Sequence, residues 1–411
     1  MLRSLYSGVS GLRANQTDLD VTANNIANSN TVGFKRSGVV FQDLLSQLIR
    51  GATGNGATTA GSNPAQVGLG VRVADISTNM SQGSLQQTGK ATDVAIQGDG
   101  MFVVAKNGEP LYTRAGTFGV DEVGTLNTPD GARVQGWMAD ATGTVNASGP
   151  TGDIVLQVGQ QLQARATTTV EVGRNLDSSV AVGAQSIVNS YAYDSLGSPV
   201  PVTFTFTKDP GNNWVMAAES NGTPLTLSSS TVSFDVNGAL TSGNIDITGG
   251  WPPAASIPGP ITLNFGNASS PGRLTGMAVA STVVALSQDG YAPGTLLSFS
   301  IGADGTLNGA FSNGRISKLA QLAVANFANS SGLEKVGGTE FRPSPNSGVP
   351  QVGVPGTGGR GLLIAGALEM SNVDLGQEFT ELIVSQRGVQ ANAKVLSASD
   401  EVLQEVLSIK R

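Results

Sequence analysis

The chain lacks most of the side chains on which enzyme chemistry usually depends. Its 411 residues include no histidine and no cysteine. Thiol nucleophiles, serine–histidine–aspartate triads, histidine acid–base catalysis and zinc sites of the usual kind are therefore excluded. A glycosidase that uses two carboxylates needs neither histidine nor cysteine, so this enzyme class stays open. We predict that the chain is not an enzyme.

Two short motifs have spacings that could bind a ligand. Gly356, Gly358 and Gly361 match G-x-G-x-x-G, but a dinucleotide site also needs a preceding strand and a following helix. The Pro-rich stretch before these glycines favours a linker. The residues 235–238 (Asp-Val-Asn-Gly) match half of a calcium loop, and without the other ligands a turn is the expected structure. We predict no catalytic residue, no metal site and no cofactor.

Composition points to a large, weakly charged β protein. Charged residues make up only 13% of the chain, the net charge is −7, and there are 55 glycines. A glycine-rich chain with many Thr, Ser, Asn and Val residues favours strands joined by tight turns. The negative charge argues against nucleic-acid binding. No apolar run reaches about 18 residues, so we expect no membrane insertion, and the N-terminus does not match a cleavable signal peptide.

Both ends of the chain carry an apolar repeat with alternating spacings of three and four residues. Such a repeat keeps one seam of a helix turned toward a partner helix. The pattern predicts terminal helices that pack with each other, as an intrachain hairpin, or with other copies of the chain. The predicted subunit-interface residues are Leu2, Leu5, Val9, Leu12, Leu19, Ile26, Leu375, Phe379, Leu382, Val389, Leu396, Leu403 and Leu407.

Features of the same repeats favour the oligomeric alternative. Gln16, Gln386 and Asp400 occupy seam positions, where polar residues lower stability but fix register and partner number. Gly8 and Gly11 each cost the N-terminal helix about 1 kcal/mol relative to Ala. We therefore expect the terminal helices to be disordered until neighbouring copies pack against them.

Between the ends, the period of the sequence changes to that of strands. Val202, Phe204 and Phe206 alternate with threonines, as expected of a half-buried strand. Asn-Gly and Asp-Gly dipeptides flanked by apolar runs predict hairpins. These dipeptides begin at Asn107, Asp130, Asn221, Asn237, Asp289, Asp304, Asn308 and Asn313.

The predicted fold is mainly β with α-helical termini. We expect a discontinuous multi-domain chain, in which terminal coiled-coil-like helices flank β-sandwich or barrel-like domains. The expected parts are a helical domain (1–28 with 372–411), a linker region (29–66 with 343–371), a first β domain (67–166 with 286–342) and an inserted outer β domain (167–285).

Motifs at both ends resemble those of the bacterial flagellar rod and hook proteins. The N-terminal motif consists of Asn24, Asn25, Ile26, Ala27 and Asn28, followed by Gly33, Phe34 and Lys35. The C-terminal motif consists of Ser371, Asn372, Val373, Asp374 and Leu375. In physical terms these are helix ends: Gly33 permits a turn before Phe34 anchors, and Ser371 or Asn372 is the expected N-cap.

The middle of the chain resembles the hook members of this family. The stretches that carry this resemblance are residues 191–197, 290–294 and 325–333. Residues 45–66 form a longer stretch than in compact hook proteins and are more similar to that of rod or long-hook relatives.

The resemblance implies a structural subunit that polymerises helically into the curved hook, a universal joint that transmits torque from motor and rod to filament. The implied partners are copies of itself, the distal rod protein, the hook cap, the hook–filament junction protein and the flagellar type III export apparatus. The implied location is extracellular, after export without a cleaved signal peptide. Alternatives are a distal rod or hook–filament junction protein, and a secreted β-domain adhesin on a coiled-coil stalk.

Overall fold

The computed structural model describes residues 2–409, apart from 56–59, 141, 157–158, 160, 254 and 267–271. It has the predicted class: a mainly β chain with an α-helix at each end. In the described part of the chain, the α-helices are α1 (Leu2–Ala27) and α2 (Leu375–Ile409), and neither is long and apolar enough to cross a membrane.

The strands follow one another closely along the chain. The first twelve are β1 (Ser37–Asp43), β2 (Ser46–Arg50), β3 (Ala65–Gly68), β4 (Val71–Thr78), β5 (Leu85–Gln87), β6 (Val94–Gln97), β7 (Met101–Lys106), β8 (Glu109–Thr113), β9 (Gly119–Val120), β10 (Leu126–Asn127), β11 (Arg133–Met138) and β12 (Gly152–Asp153). The next twelve are β13 (Gln161–Leu162), β14 (Thr169–Asn175), β15 (Gln185–Tyr193), β16 (Pro199–Asp209), β17 (Asn213–Ser220), β18 (Thr223–Pro224), β19 (Thr226–Leu227), β20 (Thr231–Ser233), β21 (Ile245–Gly249), β22 (Ile261–Asn264), β23 (Leu274–Thr275) and β24 (Val284–Gln288). The last are β25 (Gly294–Ile301), β26 (Thr306–Phe311), β27 (Ile316–Leu322), β28 (Val324–Asn326), β29 (Glu334–Gly337), β30 (Glu340–Arg342), β31 (Gln351–Gly353), β32 (Leu362–Ala365) and β33 (Ala367–Glu369).

The chain divides into two compact units. Unit 1 comprises Met1–Gln157, Phe299–Gly309 and Ser317–Arg411, and unit 2 comprises Val158–Ser298 and Ala310–Ile316. The division is discontinuous because the segment that forms most of unit 2 is inserted within unit 1. The boundaries of the four predicted parts remain a proposal.

Unit 1 is built around an antiparallel sheet with β7 near its centre. β7 pairs with β8, β11 and β28. Its core contains fully buried Phe102, Val104, Leu126, Leu322 and Val324. Burial of these side chains supplies the apolar stabilisation of the unit.

In unit 2, two sheets share one core. The meander β15–β16–β17 is antiparallel, whereas β14 pairs with β22 in parallel and with β24 antiparallel. Phe204 and Trp214 from the first sheet pack in the same cluster as Val170 and Leu263 from the second. This is a sandwich-like arrangement, and among the described residues the sheets do not close into a barrel.

Most of the predicted turn dipeptides lie at hairpin connections. Asn107 and Asn221 adopt positive φ values of 53° and 48°, as the two-residue hairpin turn requires. Asn308 is an error, because it lies inside β26. Asp289 also does not form a hairpin: it accepts hydrogen bonds from the backbone N–H groups of Thr168 and Thr169.

Residues 37–78 contain a two-stranded antiparallel ribbon, which spans part of the predicted linker region (29–66) and the start of the predicted first β domain. β1 pairs with β4, and β2 pairs with β3. We call these four strands the ribbon. Several of its apolar side chains are exposed: Leu48 is 55% exposed and Ile49 is 63% exposed. An isolated two-stranded sheet is barely stable in water, and this ribbon packs against α1, where the Val71 N–H donates to the Ser10 hydroxyl at 3.2 Å.

Candidate assembly site at the chain termini

The two terminal helices pack against each other through polar side chains. Asn25 of α1 donates through Nδ2 to Oε2 of Glu378 on α2, at 3.0 Å. Further along, the hydroxyl of Ser385 donates to the Asp18 carboxylate. Glu378 and Ser385 are buried. These hydrogen bonds replace the ones that the buried polar groups would otherwise form with water.

Glycines allow the same two helices to approach closely. A Cβ atom added to Gly11 would lie 2.8 Å from Nδ2 of Asn392. A Cβ atom added to Gly388 would lie 2.8 Å from Oδ1 of Asn15. The seam therefore consists of small and polar residues, and we call it the small-residue seam.

The contacts of the small-residue seam recur every seven residues, and the two helices run antiparallel to each other. At this interval along α1, Gly11 faces Asn392, Asp18 faces Ser385 and Asn25 faces Glu378 of α2. A repeat with a period of seven residues keeps the contacts on one face of each helix. The intrachain hairpin is thus present, but its hydrogen bonds and closest approaches come from glycines and polar residues instead of the predicted apolar repeat.

The predicted apolar repeat borders this seam and remains accessible. Its members Leu5, Val9, Leu12, Leu19, Ile26, Leu382, Val389, Leu396 and Leu403 are half-buried. Leu375 and Phe379 are 44% and 51% exposed. The side chains of Leu2 and Leu407 lie outside the described residues. Half-covered apolar residues at coiled-coil spacing are typical of helices with a further partner.

The N-terminal motif fixes the chain where it leaves α1. Asn25 donates to the carbonyl of Ser37 at 2.7 Å, and its Oδ1 accepts from the Ser37 N–H at 3.0 Å. Gly33 has a φ of +69°, and a Cβ atom there would lie 2.4 Å from the Ala115 nitrogen. Glycine is therefore required at this turn, as the motif predicts.

Lys35 of the same motif belongs to a buried ion cluster. Its Nζ lies 2.6 Å from Oε1 of Glu369, and Arg114 Nη1 lies 3.2 Å from Oε2 of the same carboxylate. Lys35 and Glu369 side chains are fully buried. Burial lowers the pKa of Lys35, although the bond to Glu369 opposes this shift. Loss of Glu369 would leave two buried cations without this carboxylate, each with only backbone carbonyls as hydrogen-bond acceptors among the described residues.

The C-terminal motif binds the same region from the other side. Asn372 accepts from the Arg36 backbone N–H at 2.8 Å and donates to the carbonyls of Asn79 and Ser81 at 2.9 and 3.0 Å. The Arg36 Nε in turn lies 3.1 Å from Glu378 Oε1. The two motifs, which are more than three hundred residues apart in sequence, thus meet in one hydrogen-bonded junction.

The prediction of Ser371 or Asn372 as the N-cap of α2 is wrong. Asp374 Oδ1 accepts from the N–H groups of Gly376 and Gln377 at 2.8 and 3.3 Å, which is the geometry of an N-cap. Asn372 is instead used in the junction. The sequence alone does not distinguish among Ser371, Asn372 and Asp374, because each of these residue types can cap a helix.

Residues central to the junction were missed by sequence reasoning. Arg114 lies in an ordinary strand-and-turn stretch, so nothing in its neighbourhood distinguishes it. Glu378 could have been noticed as an acid in the first turn of α2. Glu369 lies two residues before the C-terminal motif and received no role.

The ligand-binding motifs form turns. Asp235 Oδ1 accepts from the N–H groups of Asn237 and Ala239 at 2.9 and 2.7 Å, so the half calcium loop is an Asx turn. The glycines at 356–361 lie between β31 and β32. Within the described residues, no group of three or more acidic side chains is arranged to hold a metal ion.

A β-rich chain whose two ends form one junction and carry accessible apolar repeats is typical of structural proteins. Comparison with known proteins identifies the family to which the chain belongs. Four family models match: "Flagella basal body rod protein" at residues 5–35, "Flagellar hook protein FlgE/F/G D1 domain" at 95–189, "Flagellar basal body protein FlaE D2 domain" at 161–291 and "Flagellar basal body rod FlgEFG protein C-terminal" at 364–409.

Full-length relatives give the same result. The flagellar hook protein FlgE of Treponema pallidum is 41% identical, and that of Borreliella burgdorferi is 38% identical, each over 100% of both chains. The crystal structure of Helicobacter pylori flagellar hook protein FlgE2 shares the fold, with a TM-score of 0.53 and 15% identity over 69% of this chain and 100% of that chain. The chain belongs to the flagellar hook protein FlgE family and is a structural protein of the flagellar hook.

Proposed function

We propose that the chain polymerises helically into the short curved tube of the hook and acts there as a universal joint between rod and filament. The observation that carries this proposal is that different residues of the terminal helices form the intrachain seam and the accessible apolar repeat. The small-residue seam joins α1 to α2, which leaves the apolar repeats half-covered and available to other copies.

Burial of these repeats would drive assembly. Apolar area removed from water contributes about 25 cal/mol per Å², and Leu375, Phe379 and Ile383 are 44–56% exposed in the single chain. The glycines and polar residues of the small-residue seam give the helix pair little stability of its own. The helix pair is therefore only marginally stable in the single chain and becomes rigid when neighbours cover it, which keeps subunits separate until they reach the growing end.

The further partners follow from a position in the hook. They are the distal rod protein at its base, the hook cap during growth and the hook–filament junction protein at its tip. The subunit passes through the flagellar type III export apparatus to an extracellular site. The absence of cysteine is compatible with this route, since an unfolded chain without thiols cannot form wrong disulfides.

Electron microscopy of the purified chain, concentrated at high salt, tests the proposal. We expect open-ended curved tubes. The matched variant lacks residues 376–411, which removes nearly all of α2; it should keep a folded β body and form no tubes. Tubes from this truncated chain would refute the assigned role of α2. A stable small oligomer instead of a polymer would favour the adhesin alternative, and straight tubes would favour a distal rod protein.

A further inference from the structure

A second accessible surface lies on the side of α1 that faces the ribbon. The groove there has a volume of about 530 Å³ and runs along α1 from Arg3 to Thr17. Its apolar lining includes Tyr6, which is 68% exposed, and Leu44, which is 37% exposed. A groove of this length accommodates about four turns of a helix.

The charged residues of this groove all have the same sign. Arg3, Arg13 and Arg72 line it, and no acidic residue does. Arg72 donates to Gln42 at 2.9 Å. Among the described residues, none of these three arginines has a carboxylate within salt-bridge distance. A helix that enters the groove should therefore present apolar residues flanked by acids.

The end of α2 has this composition and has no partner on α1. Helix α2 has 35 residues and α1 has 26. Gly8 contacts Val395, and Gly11 contacts Asn392. Continued at this antiparallel register, the small-residue seam ends where α1 begins, so residues 402–409 of α2 extend about 12 Å beyond Leu2. We call this segment the α2 overhang.

The α2 overhang and the turn before it are acidic and apolar. Residues 400–405 contain Asp400, Glu401 and Glu405 and no basic residue. Val402 is 44% exposed. Neither Glu401 nor Glu405 forms a salt bridge with another described residue. Residues 400–405 thus complement the groove in charge and apolarity; of their three acids only Glu405 lies in the α2 overhang itself, and Lys410 and Arg411 follow the overhang in sequence.

We propose that the α2 overhang of one copy docks in the groove between α1 and the ribbon of a second copy. This inference rests on the proposed function, because it names the contact through which copies join. It gives the exposed ribbon a role: Leu44 and its neighbours form one wall of the binding groove. It also explains why α2 is longer than the helix with which it pairs.

Cysteine crosslinking tests the contact directly, because the natural chain has no cysteine. One preparation carries Tyr6→Cys, and a second carries Val402→Cys, Leu403→Cys or Gln404→Cys. The two are mixed, assembled into tubes and oxidised, so any disulfide between them joins different copies. A disulfide requires Cα atoms within about 7 Å. We expect a crosslinked dimer in tubes for at least one pair, and none for Tyr6→Cys mixed with Val236→Cys, an exposed turn position in unit 2.

Charge reversal supplies an independent readout. Arg13→Glu and the double variant Glu401→Arg/Glu405→Arg should each raise the critical concentration for tube formation about two- to fivefold, and their combination should restore it. Arg50→Glu, on the ribbon but outside the groove, should have no effect. Tubes without crosslinks above the control and without charge rescue would overturn this inference and leave the proposed function intact. Failure of the natural chain to form tubes would overturn both.

Discussion

Asn25 on α1 and Glu378 on α2 are hydrogen-bonded at 3.0 Å inside the chain, although they lie at opposite ends of the sequence. Asn25 also holds both backbone groups of Ser37, and Glu378 also binds Arg36. One pair of side chains therefore fixes α1, α2 and the start of the ribbon relative to each other.

We predict that Asn25→Ala loosens this junction. The substitution removes the hydrogen bond to Oε2 of buried Glu378 and both bonds to the Ser37 backbone, which should cost about 1–3 kcal/mol. Hydrogen exchange of amides in α1 and α2 is the measurement, and protection should fall in both helices. Asn24→Ala is the control, because Asn24 is the same residue type one position away and is exposed. Equal loss of protection in both variants would contradict the assigned role.

Glu369→Gln should strongly destabilise unit 1. The neutral amide leaves Lys35 and Arg114 as buried cations without a carboxylate, and breaking a buried ion pair in this way costs about 3–5 kcal/mol. Urea unfolding measures the effect. Glu334→Gln changes an exposed carboxylate without such partners and should leave the unfolding midpoint unchanged. A similar midpoint for both variants would show that the cluster contributes little.

Lys35 should contribute a rise in the free energy of unfolding with pH in the alkaline range. Burial lowers its folded-state pKa below the ordinary 10.5. Between the lowered pKa and 10.5, the unfolded chain binds the proton and the folded chain does not, so the free energy of unfolding increases with pH. Lys335 shifts in the same direction.

Lys35→Met should flatten this rise when unfolding is measured across the alkaline range. Lys90→Met, at an exposed position, should keep the slope of the natural chain. An unchanged slope in Lys35→Met would exclude Lys35 as its source.

Two glycines of α1 should respond differently to alanine. At Gly8 an added Cβ has its nearest contact at 3.5 Å, so Gly8→Ala should stabilise α1 by about 0.5–1 kcal/mol through helix propensity. At Gly11 the nearest atom would lie at 2.8 Å, and displacement of Asn392 should cancel or reverse the gain. Circular dichroism during thermal unfolding compares the two variants. A larger gain at Gly11 would show that the small-residue seam is not tightly packed.

Phe379→Ala should affect assembly much more than folding. The side chain is 51% exposed in the single chain, so its removal costs the monomer little. If neighbours bury it, the loss of about 1–2 kcal/mol of apolar contact raises the critical concentration for tubes about five- to thirtyfold. Sedimentation of assembled material measures this value. Val236→Ala, which is 99% exposed on a turn of unit 2, is the matched control, and an equal effect there would contradict the helix-specific role.

Local patterns in the sequence determined much of the fold. The apolar repeats at the ends, the alternation of Phe204 and Phe206 with threonines and the Asn-Gly turns each depend on neighbours a few residues away. These features predicted the two helices, the β body and the turns of several hairpins. Gly33 also belongs here, since a turn with positive φ places a direct demand on residue type.

Tertiary structure decided which residues meet across the chain. The pairing of Asn25 with Glu378, the convergence of Lys35 and Arg114 on Glu369 and the choice of Asp374 as the cap depend on how distant segments come together in space. The apolar repeat predicted helices with a partner, but small residues were needed to show which face α1 and α2 share. Close approach of two helices is limited by side-chain volume, and a periodic apolar pattern does not contain that information.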